Sequence, residues 1–429
     1  MSKTMEACLL QVIVVAAEQH VKQLVQALEE GQDFEQLVAT VHAVSQACFA
    51  PVLQALVESR RAEAEQRKMC PRCGQRMRNK GAQERGMITP LGRVRWGRRY
   101  YYCEGCGEGH YPLDEEWGMG SGQFTEAYQA GMSMLGASVS YGMASHLFER
   151  LTGVSVSGRE VARTTVERGA RVEEERQSEQ RVWLEQGPPV GHPTTAGPCE
   201  CSLDAAKVRF RDAWHEVKAG VVCPLGGAQR PSYIVEVGPM EQAGPKLYAE
   251  VVRRGGNPDR DTMVCVADGA PPNWTQFEAH FAQRVEILDW YHATQHLWAA
   301  AHGVYGEGTT EATRWEKQAE NALWDGRPQE VLALLDCAAQ EPAGQAAADE
   351  RHYFATNQGR MAYRRYREQD YPIGSGMMES GCKQLIIARA CQAGMSWTKP
   401  GLQPVLTLRA ELLSGRWDQA WSLTHPRAA

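Results

Sequence analysis

Two apolar runs between Thr262 and His296, each closed by an aspartate, limit the fold more than any other stretch. Val264, Val266 and Ala267 lead to Asp268, and Gly269 with Pro271 and Pro272 ends the run. Val285, Ile287 and Leu288 repeat the pattern and lead to Asp289, with a helical pattern beginning near His292. Short β-branched runs bounded by turn residues predict buried strands. A strand that ends in a carboxylate delivers charge to the rim of a sheet, where a metal or ligand can reach it.

The chain has 429 residues, 43% of them hydrophobic and 23% charged, enough for two to four domains with sizeable cores. The apolar stretch from Cys8 to Ala17 is short and leads into charged helix, so neither a signal peptide nor a membrane span is expected. A net charge of −6 excludes a uniformly basic nucleic-acid coat but not a local basic patch. The 13 cysteines include Cys70-Pro-Arg-Cys73 and Cys103-Glu-Gly-Cys106, with 29 residues between the pairs. Each CxxC knuckle lets two thiolates reach one ion, and four thiolates satisfy tetrahedral Zn²⁺ with no open position. The spacing predicts a structural zinc ribbon over residues 69–112. From Lys68 to Arg99 ten lysines and arginines face one acid, Glu84, with Trp96 and Tyr100, Tyr101 and Tyr102 interleaved. Cations set among aromatics suit a phosphate backbone, and Arg93, Arg95, Arg98 and Arg99 are DNA-binding candidates. A solvated face that keeps the ribbon soluble is the plainer alternative.

Residues 1–68 have apolar positions at helical spacing, broken at Glu29-Glu30-Gly31-Gln32. They predict a helical cap or a dimerisation or DNA-end arm. Residues 113–176 predict more helix, including a helix, a glycine turn at Gly153, and a second helix opened by a Ser157/Glu160 capping box. With Arg159 and Arg163 near its start, this is the outline of a helix-turn-helix or of a plain helical hairpin. Residues 177–199 have a linker's Gly/Pro composition. Strands follow near 201–208, 214–224 and 232–237, then a strand or helix at 247–252. The order predicts a mixed sheet over 200–296, a helical stretch over 297–370, and a last part, 371–429, in which Gly374 to Gly376 precede a helix bearing Glu379.

Three acids stand in order: Asp204, Asp268 and Glu379. Such a set can hold two Mg²⁺ ions, or Mn²⁺, for in-line attack on a phosphate. Lys383, one turn beyond Glu379, could reach a DNA phosphate or simply pair with Glu379. Asp212 is the fallback for Asp204. Asp289 and His292 are auxiliary candidates, and Asp289 could replace a member of the triad.

At these residues the chain resembles the ISKra-type bacterial insertion-sequence transposases. The resemblance rests on Leu203-Asp204, Val266-Ala-Asp268-Gly-Ala, Ile287-Leu-Asp289-Trp-Tyr-His292 and Pro372-Ile-Gly-Ser-Gly-Met-Met-Glu379-Ser-Gly-Cys-Lys383, with Gly394-Met-Ser-Trp397 beyond. It implies a multidomain α/β protein whose RNase H-like mixed sheet carries an all-helical insertion, preceded by helices and a zinc ribbon. It implies a DDE triad of Asp204, Asp268 and Glu379 and a [C/D]xxH signature at Asp289-x-x-His292. It further implies metal-dependent cleavage and strand transfer on transposon ends and target DNA, by a homodimer or larger assembly in the cytoplasm at the nucleoid. The competing expectations are a DNA-binding regulator on an inactive nuclease fold and a structural zinc protein that binds another protein.

Overall fold

The structure is a computed structural model that describes residues 3–64, 69–120, 122–189, 197–226 and 230–424. The chain divides into two compact units. Among the described residues, those between 3 and 132 and those of 148–155 form the first, and those of 133–147 and between 156 and 424 form the second.

The first unit opens with two long helices, α1 (Lys3–Glu29) and α2 (Phe34–Ala64). The break between them is a reciprocal cap: the Gln36 amide donates to Asp33 Oδ1, and the Asp33 amide donates to the Gln36 side chain, each at 2.9 Å. Among the described residues, Phe34–Arg61 is long and apolar enough to cross a membrane by length and composition. Length and composition alone do not make it a membrane span, because the core helix of a soluble protein meets the same criteria. A three-stranded antiparallel ribbon follows, β1 (Arg78–Thr89), β2 (Gly92–Cys103) and β3 (Glu108–His110), then α3 (Pro112–Glu116). Strand β2 alternates: Val94 and Trp96 are buried against Val57 and Ala64 of α2 and Leu113 of α3, while Arg93 and Arg95 face out. Helices α4 (Glu126–Ser138) and α5 (Tyr141–Thr152) cross from one unit's residues to the other's.

In the second unit α6 runs from Gly158 to Gln186, so the expected linker begins only at Gly187; residues 190–196 of it lie outside the described residues. Ser157 caps α6 by accepting from the Glu160 amide. The sheet comprises β4 (Cys199–Arg209), β5 (Trp214–Pro224), β6 (Ser232–Glu236), β7 (Met263–Ala267) and β8 (Arg284–Leu288), in the order β6-β5-β4-β7-β8. β4, β5 and β6 are antiparallel neighbours, whereas β7 and β8 run parallel to β4. Helix α7 (Ala243–Arg253) joins β6 to β7, and α8 (Pro271–His280) joins β7 to β8. The 247–252 segment, open between strand and helix in the sequence, is helical because Ala243, Leu247 and Val251 recur every four residues and all enter the core.

Along β4, Cys199, Cys201 and Leu203 point to the core that α7 and α8 cover, while Val208 and Phe210 point to the opposite core. Asp204 falls on that second face, an even number of residues from Val208. Five helices follow β8: α9 (Trp290–Tyr305), α10 (Thr310–Trp324), α11 (Pro328–Ala338), α12 (Gln345–Thr356) and α13 (Tyr363–Glu368). The stretch expected to be helical is so. The chain then returns to the second face of the sheet as α14 (Gly376–Cys382), a π-helical turn (Lys383–Ile387), α15 (Ala388–Ala390), α16 (Lys399–Leu413) and α17 (Trp417–Ser422).

Candidate functional site

Register brings Asp204, inside β4, level with Asp268 and Asp289, which directly follow the ends of the neighbouring strands β7 and β8. The parallel pairing of β4 with β7 ends at Ser202–Val266, and that of β7 with β8 at Ala267–Leu288. Two residues past the first pair lie Asp204 and Asp268; one past the second lie Asp268 and Asp289. With strands about 4.8 Å apart, the charges are close neighbours. Burial raises the Asp204 carboxyl above its ordinary value, and the negative charge of Asp268 raises it further. Asp268 Oδ1 accepts from the Ala270 amide and from Asn273 Nδ2, both at 3.0 Å. The Tyr353 hydroxyl of α12 donates to the Asp268 carbonyl at 2.8 Å. Gly269 makes this approach feasible: its φ is +96°, and a Cβ there would lie 2.7 Å from the Tyr353 ring.

Asp289 has a different task. Its side chain is 1% exposed, and both oxygens are occupied. It caps α9 through the Tyr291 and His292 amides, holds His292 Nδ1, and accepts from the Ser375 amide at 2.8 Å. The Trp290 amide donates to the Ile373 carbonyl at 2.8 Å. Gly374 passes so close to Tyr291 that a Cβ would meet its ring at 2.9 Å. Asp289 therefore fastens the segment that leads into the Glu379 helix. This corrects its candidacy for the triad: a carboxylate so fully engaged has no lone pair to spare for an ion. Ser375 makes no side-chain cap on α14; its amide serves Asp289 instead.

His292 shares this anchor. Its bond to Asp289 raises the imidazole's pKa; burial opposes the shift, and the charges of Asp289, Asp268 and Asp204 add to it. Burial alone would raise the Asp289 carboxyl, but His292 and the Ser375 amide bring it below the ordinary range. The raised histidine adds stability that is full below about pH 6.5 and is lost as pH rises through its folded pKa. The lowered aspartate adds stability present above about pH 3.9 and lost as pH falls through its folded pKa. The pair thus contributes most between these limits. Asp289→Ala is expected to cost about 3 kcal/mol, and denaturant melts should show the gap to wild type narrowing from pH 5.5 to pH 8.5. An equal gap at both pH values would remove His292 from the account.

Glu379 lies on α14, one turn before Cys382, whose thiol contacts Asp204 Oδ2 at 3.6 Å. Burial and the Asp204 charge raise the Cys382 pKa, so the thiol is protonated. The Glu379 side chain is exposed and bonds Lys383 at 2.6 Å. Among the described residues, Asp204, Asp268 and Glu379 do not bring three ligand atoms within 4.8 Å of one another. The π-helical turn after Cys382 turns Leu385 and Ile386 into the core, so Ile386 leaves the exposed face that Glu379 and Lys383 share. Asp212, the fallback acid, sits exposed beyond the end of β4, bonded to His215 at 2.7 Å. Its pKa is lowered by that bond, and nothing links it to Asp268.

In the first unit the four predicted thiols converge. Sγ separations are 3.5 Å for Cys70–Cys106, 3.3 Å for Cys73–Cys103 and 3.9 Å for Cys73–Cys106, close to the edge of about 3.8 Å that Zn–S bonds of about 2.3 Å require. These four cysteines could hold a metal ion and are consistent with structural zinc. Gly74 and Gly107, at φ +70° and +72°, close each knuckle by donating to the Cys70 and Cys103 carbonyls at 2.9 Å. The Cys103 thiol is lowered to about 7, chiefly by the Cys106 amide, which favours the thiolate a metal needs. His110 went unnoticed in the sequence. Its Nε2 lies 3.6 Å from Cys70 Sγ and its Nδ1 2.8 Å from Glu115.

The basic ribbon is less free than its sequence suggests. Arg98 bonds the buried Asp114 and stacks 3.7 Å over the Tyr111 ring. Arg85 reaches the same Asp114, and Arg72 and Arg78 pair with Glu108 and Glu104. The acids that balance these arginines lie just beyond the window in which they were counted. Trp96 and Tyr101 are core residues, not stacking platforms. Arg93, Arg95 and Arg99 remain on the exposed face, Arg95 within 3.7 Å of Glu84; Lys68 lies outside the described residues. Arg163, expected to meet DNA, is bonded to Glu160 and Glu167, whereas Arg159 is exposed.

Over residues 27–185 the chain is similar to an uncharacterised protein family, UPF0236. That span takes in the ribbon and the helices after it and stops before the aspartates. Comparison with curated proteins finds no match.

Proposed function

We propose that the chain is a DDE transposase of the ISKra type, with an RNase H-like catalytic domain, that cleaves DNA at the ends of an insertion sequence and transfers the strands. The alignment of Asp204 with Asp268 carries this reading. Two carboxylates held at one register, one already raised by burial and its neighbour's charge, form a pair that a divalent cation would relieve. The strand order β6-β5-β4-β7-β8, with one antiparallel meander and two parallel additions, supports it, as does a helix returning beside Asp204 with Glu379 one turn away.

Asp204, Asp268 and Glu379 would hold Mg²⁺ or Mn²⁺, which activates the attacking oxygen and stabilises the leaving one. For Glu379 to join, its carboxylate must leave Lys383. An exposed i,i+4 pair is worth under about 0.5 kcal/mol, so that exchange costs little. Lys383, once released, is free for a DNA phosphate. Asp289 and Ser375 keep the helix start in place, and Asn273 and Tyr353 orient the Asp268 segment. The four-cysteine site would hold Zn²⁺ and keep the ribbon folded. DNA is the partner, and two ends brought together require a dimer or larger assembly.

The Glu379–Lys383 pair favours one other reading: a DNA-binding regulator that retains the fold without cutting. Incubating the protein with DNA carrying the element's ends and Mg²⁺ separates the two. Nicking at the ends is the expected result. Tight, specific binding with no cutting under Mg²⁺ or Mn²⁺ would install the regulator.

A further inference from the structure

A second basic feature of the sheet-bearing unit lies away from the aspartates. Beyond the end of β4 the chain is stitched to the segment before α16: the Trp397 amide donates to the Arg209 carbonyl, and the Arg211 amide to the Trp397 carbonyl, both at 3.1 Å. Beside this seam opens a cleft of about 610 Å³, with Tyr141, Arg159, Arg211, Met395 and Trp397 among its walls and Arg389 in its floor. That volume is of the size small-ligand sites have. A second cleft shares Arg211 and Trp397 and adds Trp214, 60% exposed, and Lys399.

Arg389 is the anomaly. It is 0% exposed, its Nε donates to the Gly136 carbonyl at 2.9 Å, and its guanidinium lies 4.9 Å from the ring centroids of both Tyr141 and Trp397. Its Nη2 is buried with no hydrogen-bond partner. A buried cation with an idle donor is costly unless an anion meets it. Around it Arg159, Arg211 and Lys399 are exposed, and none of them makes an ion pair among the described residues. The acids nearby are already engaged, Asp212 with His215, Glu216 with Lys218 and Glu160 with Arg163.

We propose that this cleft binds the phosphate backbone of the DNA that enters the catalytic site, with the exposed Arg159, Arg211 and Lys399 on phosphates, Trp214 packing on the strand, and the buried charge of Arg389 beneath adding to the attraction. The proposal rests on the transposase reading for the identity of the partner. Phe210 and Asp204 lie on the same face of β4, six residues apart, about 20 Å at strand rise. That is about six base pairs of duplex, so one bound segment could span both. The cleft also ties the site to α6 and α16, whose first turns supply Arg159 and Lys399.

The test measures binding of a fluorescein-labelled duplex by anisotropy across a salt series, for the full chain and for the triple variant Arg159→Ala, Arg211→Ala, Lys399→Ala. All three side chains are exposed, so folding is preserved. The slope of log K against log salt is expected to fall by about 0.9 for each phosphate contact removed. Arg389→Gln, which removes the charge beneath the cleft, should weaken binding with circular dichroism unchanged. A triple variant with wild-type slope and affinity overturns the cleft while leaving the transposase reading intact. A wild type that binds no DNA overturns both. Inorganic phosphate binding to the wild type, with duplex affinity unchanged in the variants, overturns the proposal in favour of a free-anion site.

Discussion

Asp268→Asn is expected to lower the rate of end cleavage about a thousandfold or more while leaving affinity for the ends within about twofold. The substitution is nearly isosteric. Asp268 Oδ1 accepts from the Ala270 amide and from Asn273, and an asparagine oxygen can accept both bonds. What disappears is the negative charge beside Asp204. Glu379→Gln should give the same loss for a separate reason. Its carboxylate is exposed and, among the described residues, bonded only to Lys383, so the fold loses little, while a cation site loses one of its three acids. Asp289→Asn should behave differently: its effect should appear in stability before activity, because Asp289 binds amides and an imidazole. Single-turnover cleavage of labelled end DNA, run beside anisotropy binding and thermal melts, separates the three. If Asp268→Asn and Glu379→Gln cut like wild type, the acids chosen here do not hold the metal.

The features legible in the sequence were those written in short-range pattern. The knuckles, the apolar strand runs and the helical stretch after β8 all declare themselves by spacing over a few residues, and each appears where expected. Asp268 and Asp289 are legible as strand-end acids and Asp204 as an acid within the first strand, but the division of labour among them is not. Asp289 differs from Asp268 because Ser375 and Ile373, more than eighty residues later, return to meet it. Nothing near Asp289 encodes that return. Arg98 looks free in the sequence for the same kind of reason: Asp114 lies outside the basic stretch yet folds into it. Arg389 carries no local signal either, since its burial depends on Tyr141 and Trp397 arriving from distant segments. The length of α6 and its continuation past residue 176 were hidden by an end-on Gly/Pro stretch that looks like a linker from further back. Tertiary closure, not propensity, decided these cases.

Removing the metal from the cysteine site, or replacing Cys103 by serine, is expected to melt one end of the ribbon and spare the other. The knuckle end has almost no core besides the ligands: its buried cluster is Cys70, Met77, Tyr101 and Cys103, with Cys106 packed against it. Four thiols held together without an ion gain little, and binding of structural zinc typically supplies about 10–16 kcal/mol of apparent folding free energy in small domains. At the far end Val94 and Trp96 pack on Val57 and Ala64 of α2 and on Leu113, contacts that do not depend on thiolates. Hydrogen exchange after treatment with a chelator should therefore show amides of residues 70–78 and 101–110 losing protection, while those around Val94 and Trp96 keep theirs. Metal analysis of the untreated protein should return one zinc per chain. The two ends of the same strand, β2, then report separately on the metal and on the helical packing. Uniform loss along β2 would mean that the ribbon folds as one unit through the ion. No change at either end would mean that the cysteines are not a structural zinc site and that Met77 and Tyr101 suffice.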